Sequence, residues 1–352
     1  MKQGALVILG LLCFVSLTAQ QRAPGASPAQ AGRGPVVGAG GAQAANGTAV
    51  LVLGAGTPTL TAERSGTCLG VIANGTVYLF DAGPGVERRM FEARARTSIG
   101  NIIRNIGPVF ISHLHSDHTL GLPAMLYYVR PQGQPFKVYG PPGIKNMMNH
   151  ILAAWQEDRD MRVNGLERAN PVRWETDVHE VTSGVIFKDD NVTVMAFEVP
   201  HGSWEHAFGY RIDSADRSIV ISGDTRPSNA IVKACNGCDI LFHEVVWEDP
   251  DGPPRSAYMR EFHTSPAELA NIAVRANAKN GCDVSPGGSP APGRVHPSGG
   301  EGVQRASGVR TGSRSLLRER WMAGDSDFSN LITVIFLSFD RTRGQSGPIE
   351  RR

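Results

Sequence analysis

The sequence predicts an α/β fold on three observations. Short β-rich runs are bounded by Gly, Pro and Asp, helical stretches lie between them, and His or Asp follows several of the runs directly. The runs cover residues 49–53, 77–80, 109–112, 192–199, 218–222 and 239–242, and the helical stretches include 146–156 and 265–278. Layered α/β folds present their reactive groups at strand ends, so the residues just past these runs carry the functional reading.

With 352 residues, 41% hydrophobic and 19% charged, the chain is long enough for one large domain with tails. A net charge of +2 gives no cause to expect a nucleic-acid or membrane-surface partner. Met1-Lys2-Gln3-Gly4, an apolar run over 5–17, and Thr18-Ala19-Gln20-Gln21 follow the order of a secretory signal. Residues 1–20 are therefore expected to direct the protein to the periplasm or outside the cell. The apolar run is short for a bilayer span, so no stable membrane insertion is expected.

Residues 21–47, rich in Ala, Gly, Gln and Pro, read as a disordered linker. Residues 48–280 are the expected catalytic domain, and 281–352 read as a low-complexity, disordered tail in which only 331–339 resembles a strand. Of five cysteines, Cys13 lies in the expected signal, and Cys68 and Cys282 stand alone, which argues against a structural zinc. Cys235-Asn236-Gly237-Cys238 could form a disulfide after export, but two half-buried thiols beside a strand are the preferred reading.

The chemistry concentrates at His113-Leu114-His115-Ser116-Asp117-His118, directly after the apolar run Val109-Phe110-Ile111-Ser112. Three imidazoles and a carboxylate on one short loop suit zinc. A single buried histidine is more often satisfied by a hydrogen bond, but four such groups together need compensation. His113 and His115 can face one ion, Asp117 and His118 another. His201, after Phe197-Glu198-Val199-Pro200, and Asp224, after the 218–222 run and Gly223, are the candidates to close the two sites. Asp224 is suited to bridge the ions, although Ser222-Gly223-Asp224-Thr225 alone would pass as a polar turn.

These residues resemble the metallo-β-lactamase superfamily, and in detail its ribonuclease Z branch, over about residues 51–279. Leu53-Gly54-Ala55-Gly56-Thr57-Pro58 and Phe80-Asp81-Ala82-Gly83-Pro84-Gly85 resemble that branch's two opening glycine turns. The resemblance implies a four-layer αββα sandwich, two zinc ions per chain, and Asp81 orienting a ligand imidazole. His243-Glu244 resembles the branch's His-Glu-Ala-Thr element and His263-Thr264-Ser265 its His-Ser-Thr element. By that likeness His263 is the general acid and Glu244 tunes it, while Thr264 and Ser265 also read as an ordinary helix start.

The likeness stops near Lys279. The branch's last ligand histidine would fall at Ser285, in Cys282-Asp283-Val284-Ser285-Pro286, where neither an apolar strand nor a histidine is legible, and His296 is a poor substitute. This C-terminus reads as replaced, and the second metal site as incomplete.

The implied chemistry is hydrolysis of a phosphodiester or related ester by water activated between two metals, with Asp117 and Asp224 positioning it. Precursor tRNA is not expected as substrate. An exported protein would not meet it, and residues 141–190 carry no Lys-rich insertion, their arginines being offset by Glu157, Asp158, Asp160 and Glu167. A small phosphodiester, sulfate ester or lactone is preferred, and a homodimer is left open. The competing readings are a lactonase or β-lactamase relative, and a degenerate metal-binding protein without catalysis.

Overall fold

A computed structural model describes residues 47–59, 64–96, 103, 105–129, 134–246, 253–284 and 333–336. The expected signal (1–20), nearly all of the linker (21–47), and Ser285 and His296 lie outside the described residues.

One sheet runs β13-β1-β2-β3-β4-β5-β6, built from β1 Ala49–Gly54, β2 Cys68–Ala73, β3 Thr76–Phe80, β4 Ile106–Phe110, β5 Phe136–Gly140, β6 Thr176–Glu180 and β13 Thr333–Phe336. The second runs β12-β11-β10-β9-β8-β7, from β7 Gly184–Lys188, β8 Val192–Glu198, β9 Phe208–Ser214, β10 Ser218–Ile221, β11 Ile240–Glu244 and β12 Asn280–Val284. Strand periodicity sorts their side chains into three cores. Val50, Tyr78, Phe80 and Phe110 from the first sheet meet Val194, Ala196, Tyr210, Ile219, Ile221 and Phe242 from the second in the core between them.

The alternate residues face outward. Leu51, Val77, Leu79 and Val109 pack under helices α1 Val86–Arg96 and α4 Ile144–Ala154, which contribute Val86, Met90, Ile144 and Met148. On the far side Val220 and Leu241 pack under α6 Asn229–Cys235 and α8 Pro266–Ala276 through Ile231 and Ile272. Helix, sheet, sheet and helix thus form the four-layer αββα sandwich. Ser265 starts α8 with a capping box, its side chain accepting from Glu268 N–H while Glu268 accepts from Ser265 N–H.

The structure departs from the sequence reading in three places. The helix expected over 146–156 is two, α4 and α5 Gln156–Asn164, broken at Trp155 where φ is −112° and ψ 28°. Residues 280–284, where no strand was legible, pair in parallel with β11 from Ile240↔Asn280 to Glu244↔Val284. Backbone groups make that ladder, so a strand without an apolar pattern can join it once α8 has carried the chain back. In the tail, the strand-like stretch 331–339 contains β13, which pairs antiparallel with β1 and covers what would otherwise be that sheet's open edge. Finally, Cys235 and Cys238 are disulfide-bonded rather than free, because left-handed Asn236 (φ 39°) and Gly237 (φ 81°) turn the chain until the two Cα atoms lie 4.7 Å apart.

Candidate metal centre

The metal-type residues gather at one edge of the sandwich because each follows a buried strand. After β4 the second sheet grips the chain: Tyr210 donates its hydroxyl proton to the Ile111 carbonyl at 2.6 Å, and Phe208 N–H donates to the Ser112 carbonyl at 2.9 Å. His113 to His115 then run extended and Ser116–Thr119 form the short helix α2, which presents Asp117 and His118. His201 follows β8 and Asp224 follows β10. Gly223 allows the turn between them: its φ is +61°, and a Cβ there would meet the Phe208 carbonyl oxygen at 2.6 Å.

His113 Nε2, His115 Nδ1 and His201 Nε2 converge. His115 Nδ1 lies 2.8 Å from His113 Nε2 and 3.2 Å from His201 Nε2. A second group of ligand atoms joins His113, His118 and Asp224, with His118 Nε2 3.4 Å from Asp224 Oδ2; within each group all ligand atoms lie within 4.8 Å of one another. His113 thus lies in both groups, and Asp224, which the sequence reading nominated to bridge the ions, lies in the second beside His118. Asp117 stands beside the second group, its Oδ2 3.7 Å from His118 Nε2 and its buried Oδ1 without a hydrogen-bond partner.

The outer nitrogens are held by named groups. His118 Nδ1 is 2.8 Å from Asp81 Oδ2, which also accepts the Ser112 hydroxyl at 2.9 Å, while Asp81 Oδ1 accepts Ser112 N–H at 2.7 Å. Ser112 Oγ in turn lies 3.0 Å from His113 Nδ1, and His201 Nδ1 donates to the Phe262 carbonyl at 2.8 Å. Trp204 donates its Nε1–H to His115 Nε2 at 2.8 Å.

Burial lowers the pKa values of His113, His115 and His201, the last to about 4, so their ring nitrogens keep free lone pairs at neutral pH. His118 is the opposite case: burial alone would lower it, but Asp224 and Asp81 outweigh burial and raise it. Asp224 is correspondingly held well below the usual carboxylate range by His118, against burial. Burial raises Asp117.

These residues fit divalent metal ions. The buried Asp117 Oδ1 and His118 Nε2, left without hydrogen bonds, are costly unless a cation completes them, and three neutral imidazoles meeting at one point supply further donors.

Behind the second group Glu244, at the end of β11, is buried; its Oε1 accepts from Thr264 N–H at 3.0 Å and Thr225 N–H at 3.3 Å and lies 3.5 Å from His263 Nδ1. His263 sits between α7 Ala257–Phe262 and α8, its ring 5.5 Å from that of His201. The structure therefore brings all eight residues singled out in the sequence, His113, His115, Asp117, His118, His201, Asp224, Glu244 and His263, to one edge of the fold.

A family model described as a β-lactamase superfamily domain matches residues 76–281, more than half of the chain. The chain belongs to the β-lactamase superfamily. Within it, the ribonuclease Z of Mycobacterium sp. strain KMS is 32% identical over 237 residues, spanning 64% of this chain and 80% of that protein. The ribonuclease Z of Brevibacillus brevis is 28% identical, spanning 65% and 81%. The crystal structure of the short form of human tRNase Z shares 25% identity with a TM-score of 0.51, covering 67% of this chain and 91% of that one. YhfI, a metallo-β-lactamase fold protein of Bacillus subtilis, matches at a TM-score of 0.52 and 15% identity over 68% and 86%, which speaks for the fold alone. The protein is a ribonuclease Z-like hydrolase of this superfamily.

Two residues that touch the site were passed over by sequence reasoning. Ser112 links Asp81 to His113, and its position immediately before the histidine string was the available signal. Trp204 touches His115 across 89 positions of sequence, and nothing in its local sequence announces that contact.

Proposed function

We propose that the protein is an exported, zinc-dependent hydrolase of a small phosphodiester or related ester, with two ions per chain. The convergence of three neutral imidazoles beside the His118–Asp224 pair carries this reading. His113, His115 and His201 would hold one ion, and Asp117, His118 and Asp224 the other; imidazole and carboxylate donors together suit zinc. Bound there, paired divalent ions lower the pKa of water and neutralise charge on the attacked group.

The chain's own residues do the rest. Asp117, with its unpaired Oδ1, accepts a hydrogen bond from the attacking water and aims it. Asp81 and Ser112 keep His118 and His113 in orientation. His263, with Glu244 beside Nδ1, donates a proton from its other nitrogen to the departing oxygen. Residues 141–190 support a small substrate rather than a polyanion: they are taken up by α4, α5, β6 and β7, with Arg162 paired to Asp158 and Glu167 and Arg173 stacked 5.6 Å over Trp174. The signal-like order of residues 1–20 supports export. Among the described residues no helix is long and apolar enough to cross a membrane.

The test is elemental analysis of the purified chain together with hydrolysis of bis(p-nitrophenyl) phosphate and an aryl sulfate. About two zincs with turnover is the expected result. One zinc or none, without turnover, would favour the degenerate metal-binding reading that Ser285 in place of a ligand histidine suggests.

A further inference from the structure

Three of the four imidazoles at the centre are held ready to bind metal by what touches their outer nitrogen. The Phe262 carbonyl can only accept, so His201 carries its proton on Nδ1 and directs the Nε2 lone pair inward. Ser112 gives its hydroxyl proton to Asp81, so its oxygen accepts from His113 Nδ1 and the His113 Nε2 lone pair also faces inward. Asp81 does the same for His118.

His115 is held the other way. The indole N–H of Trp204 can only donate, so His115 Nε2 must accept and the neutral ring carries its proton on Nδ1. That nitrogen is the one facing His113 Nε2 and His201 Nε2, and the proton serves the two lone pairs around it. A metal at this position needs the Nδ1 lone pair. The proton then belongs on Nε2, and two donors would face each other across 2.8 Å.

We propose that Trp204 competes with the metal for His115: the hydrogen bond from Trp204 Nε1 stabilises the tautomer that cannot ligate, and loading of the three-histidine group breaks that contact. Trp204 is thus a positioning residue that weakens first-ion affinity and makes the site's filling visible in the indole. This rests on the metal-centre reading above. The local backbone holds the indole in place. Trp204 N–H donates to the His201 carbonyl at 3.0 Å in a tight turn, and Gly202 within it has φ +54° and lies against the Phe262 ring, which a Cβ would meet at 2.0 Å.

The experiment uses the full chain stripped of metal by a chelator. Zinc affinity is measured by competition with a chromophoric chelator for the wild type, Trp204→Phe and Trp155→Phe, without substrate. Trp204→Phe keeps a ring and removes the donor, so it should bind the first ion about three- to tenfold more tightly, the worth of one neutral hydrogen bond. Trp155→Phe should match the wild type. Tryptophan emission should change on loading in the wild type and in Trp155→Phe, and much less in Trp204→Phe. Nitrogen-15 spectra of the histidine rings give an independent reading on the wild type alone: His115 should be the Nδ1–H tautomer before loading and Nε2–H after it. Equal affinities for the wild type and Trp204→Phe, or an Nε2–H ring in the metal-free wild type, would overturn the proposal. A chain that binds no zinc in any variant would overturn the metal-centre reading and this inference with it.

Discussion

His118 Nδ1 donates to Asp81 Oδ2 at 2.8 Å, and the same carboxylate takes both the N–H and the hydroxyl of Ser112, so one buried acid orients two histidines at once. Asp81→Asn offers one acceptor oxygen where three donors now converge, and one of them must be left over. Zinc affinity at the His118–Asp224 group is expected to fall about 10- to 100-fold, read by calorimetric titration of the chelated protein. A titration superimposable on the wild type would mean that the His118 ring is held by its packing alone.

Asp224→Ala removes the carboxylate from the second ligand group while leaving His113, His115 and His201 in place. Elemental analysis is expected to find about one zinc fewer per chain, because a site reduced by a ligand no longer retains its ion through purification. In the metal-free form the variant also loses the buried pairing of Asp224 with His118, so its thermal midpoint should fall below that of the metal-free wild type.

Activity should depend on pH through His263 and Glu244. Burial pushes Glu244 up to about 7. Burial alone would lower His263, but the adjoining Glu244 outweighs it and the imidazole's pKa is raised, so it keeps its proton to higher pH. Glu244→Gln removes that support, and the alkaline limb of kcat/KM is expected to move to lower pH. His263→Ala should abolish the limb and cost roughly 10²- to 10⁴-fold in kcat for esters with a poor leaving group, less for p-nitrophenolate, which needs no proton. An unshifted limb in Glu244→Gln would assign it to another group.

Acid stability should depend on Asp239, away from the metal ligands. Burial would raise this carboxyl, but the Lys279 ammonium at 2.8 Å and the Ser218 N–H and hydroxyl at 2.8 and 3.0 Å hold its pKa below the ordinary value. A folded pKa below the unfolded one means stability that is present above about pH 4 and lost as pH falls through the folded pKa. Asp239→Asn is therefore expected to lower the urea midpoint at pH 7 and to flatten its decline on the acid side of pH 4, with the two proteins converging at the lowest pH.

The donor set was legible in the sequence because coordination chemistry is carried by residue type and short spacing. His113 to His118 lie on one loop, and His201 and Asp224 each follow a short β-rich apolar run that reads as a strand. The two-residue alternation of a strand puts Leu51 and Val50, and Leu79 and Tyr78, on opposite faces of one sheet. Strand β12 was illegible because backbone pairing with β11, rather than an apolar pattern of its own, places it, whereas β13 falls inside the apolar run 331–339 that reads as a strand.

What the sequence by itself determined, then, was which atoms can bind metal and which strands bring them together. Only the tertiary structure decided how close those atoms lie to one another, with His113 within reach of both groups, and which ring nitrogen of each histidine faces inward. Donor type follows from the side chain itself, whereas a tautomer is set by the group touching the ring's far side. For His115 and His201 that group comes from chain positions 89 and 61 residues away, brought into contact by the packing of two sheets.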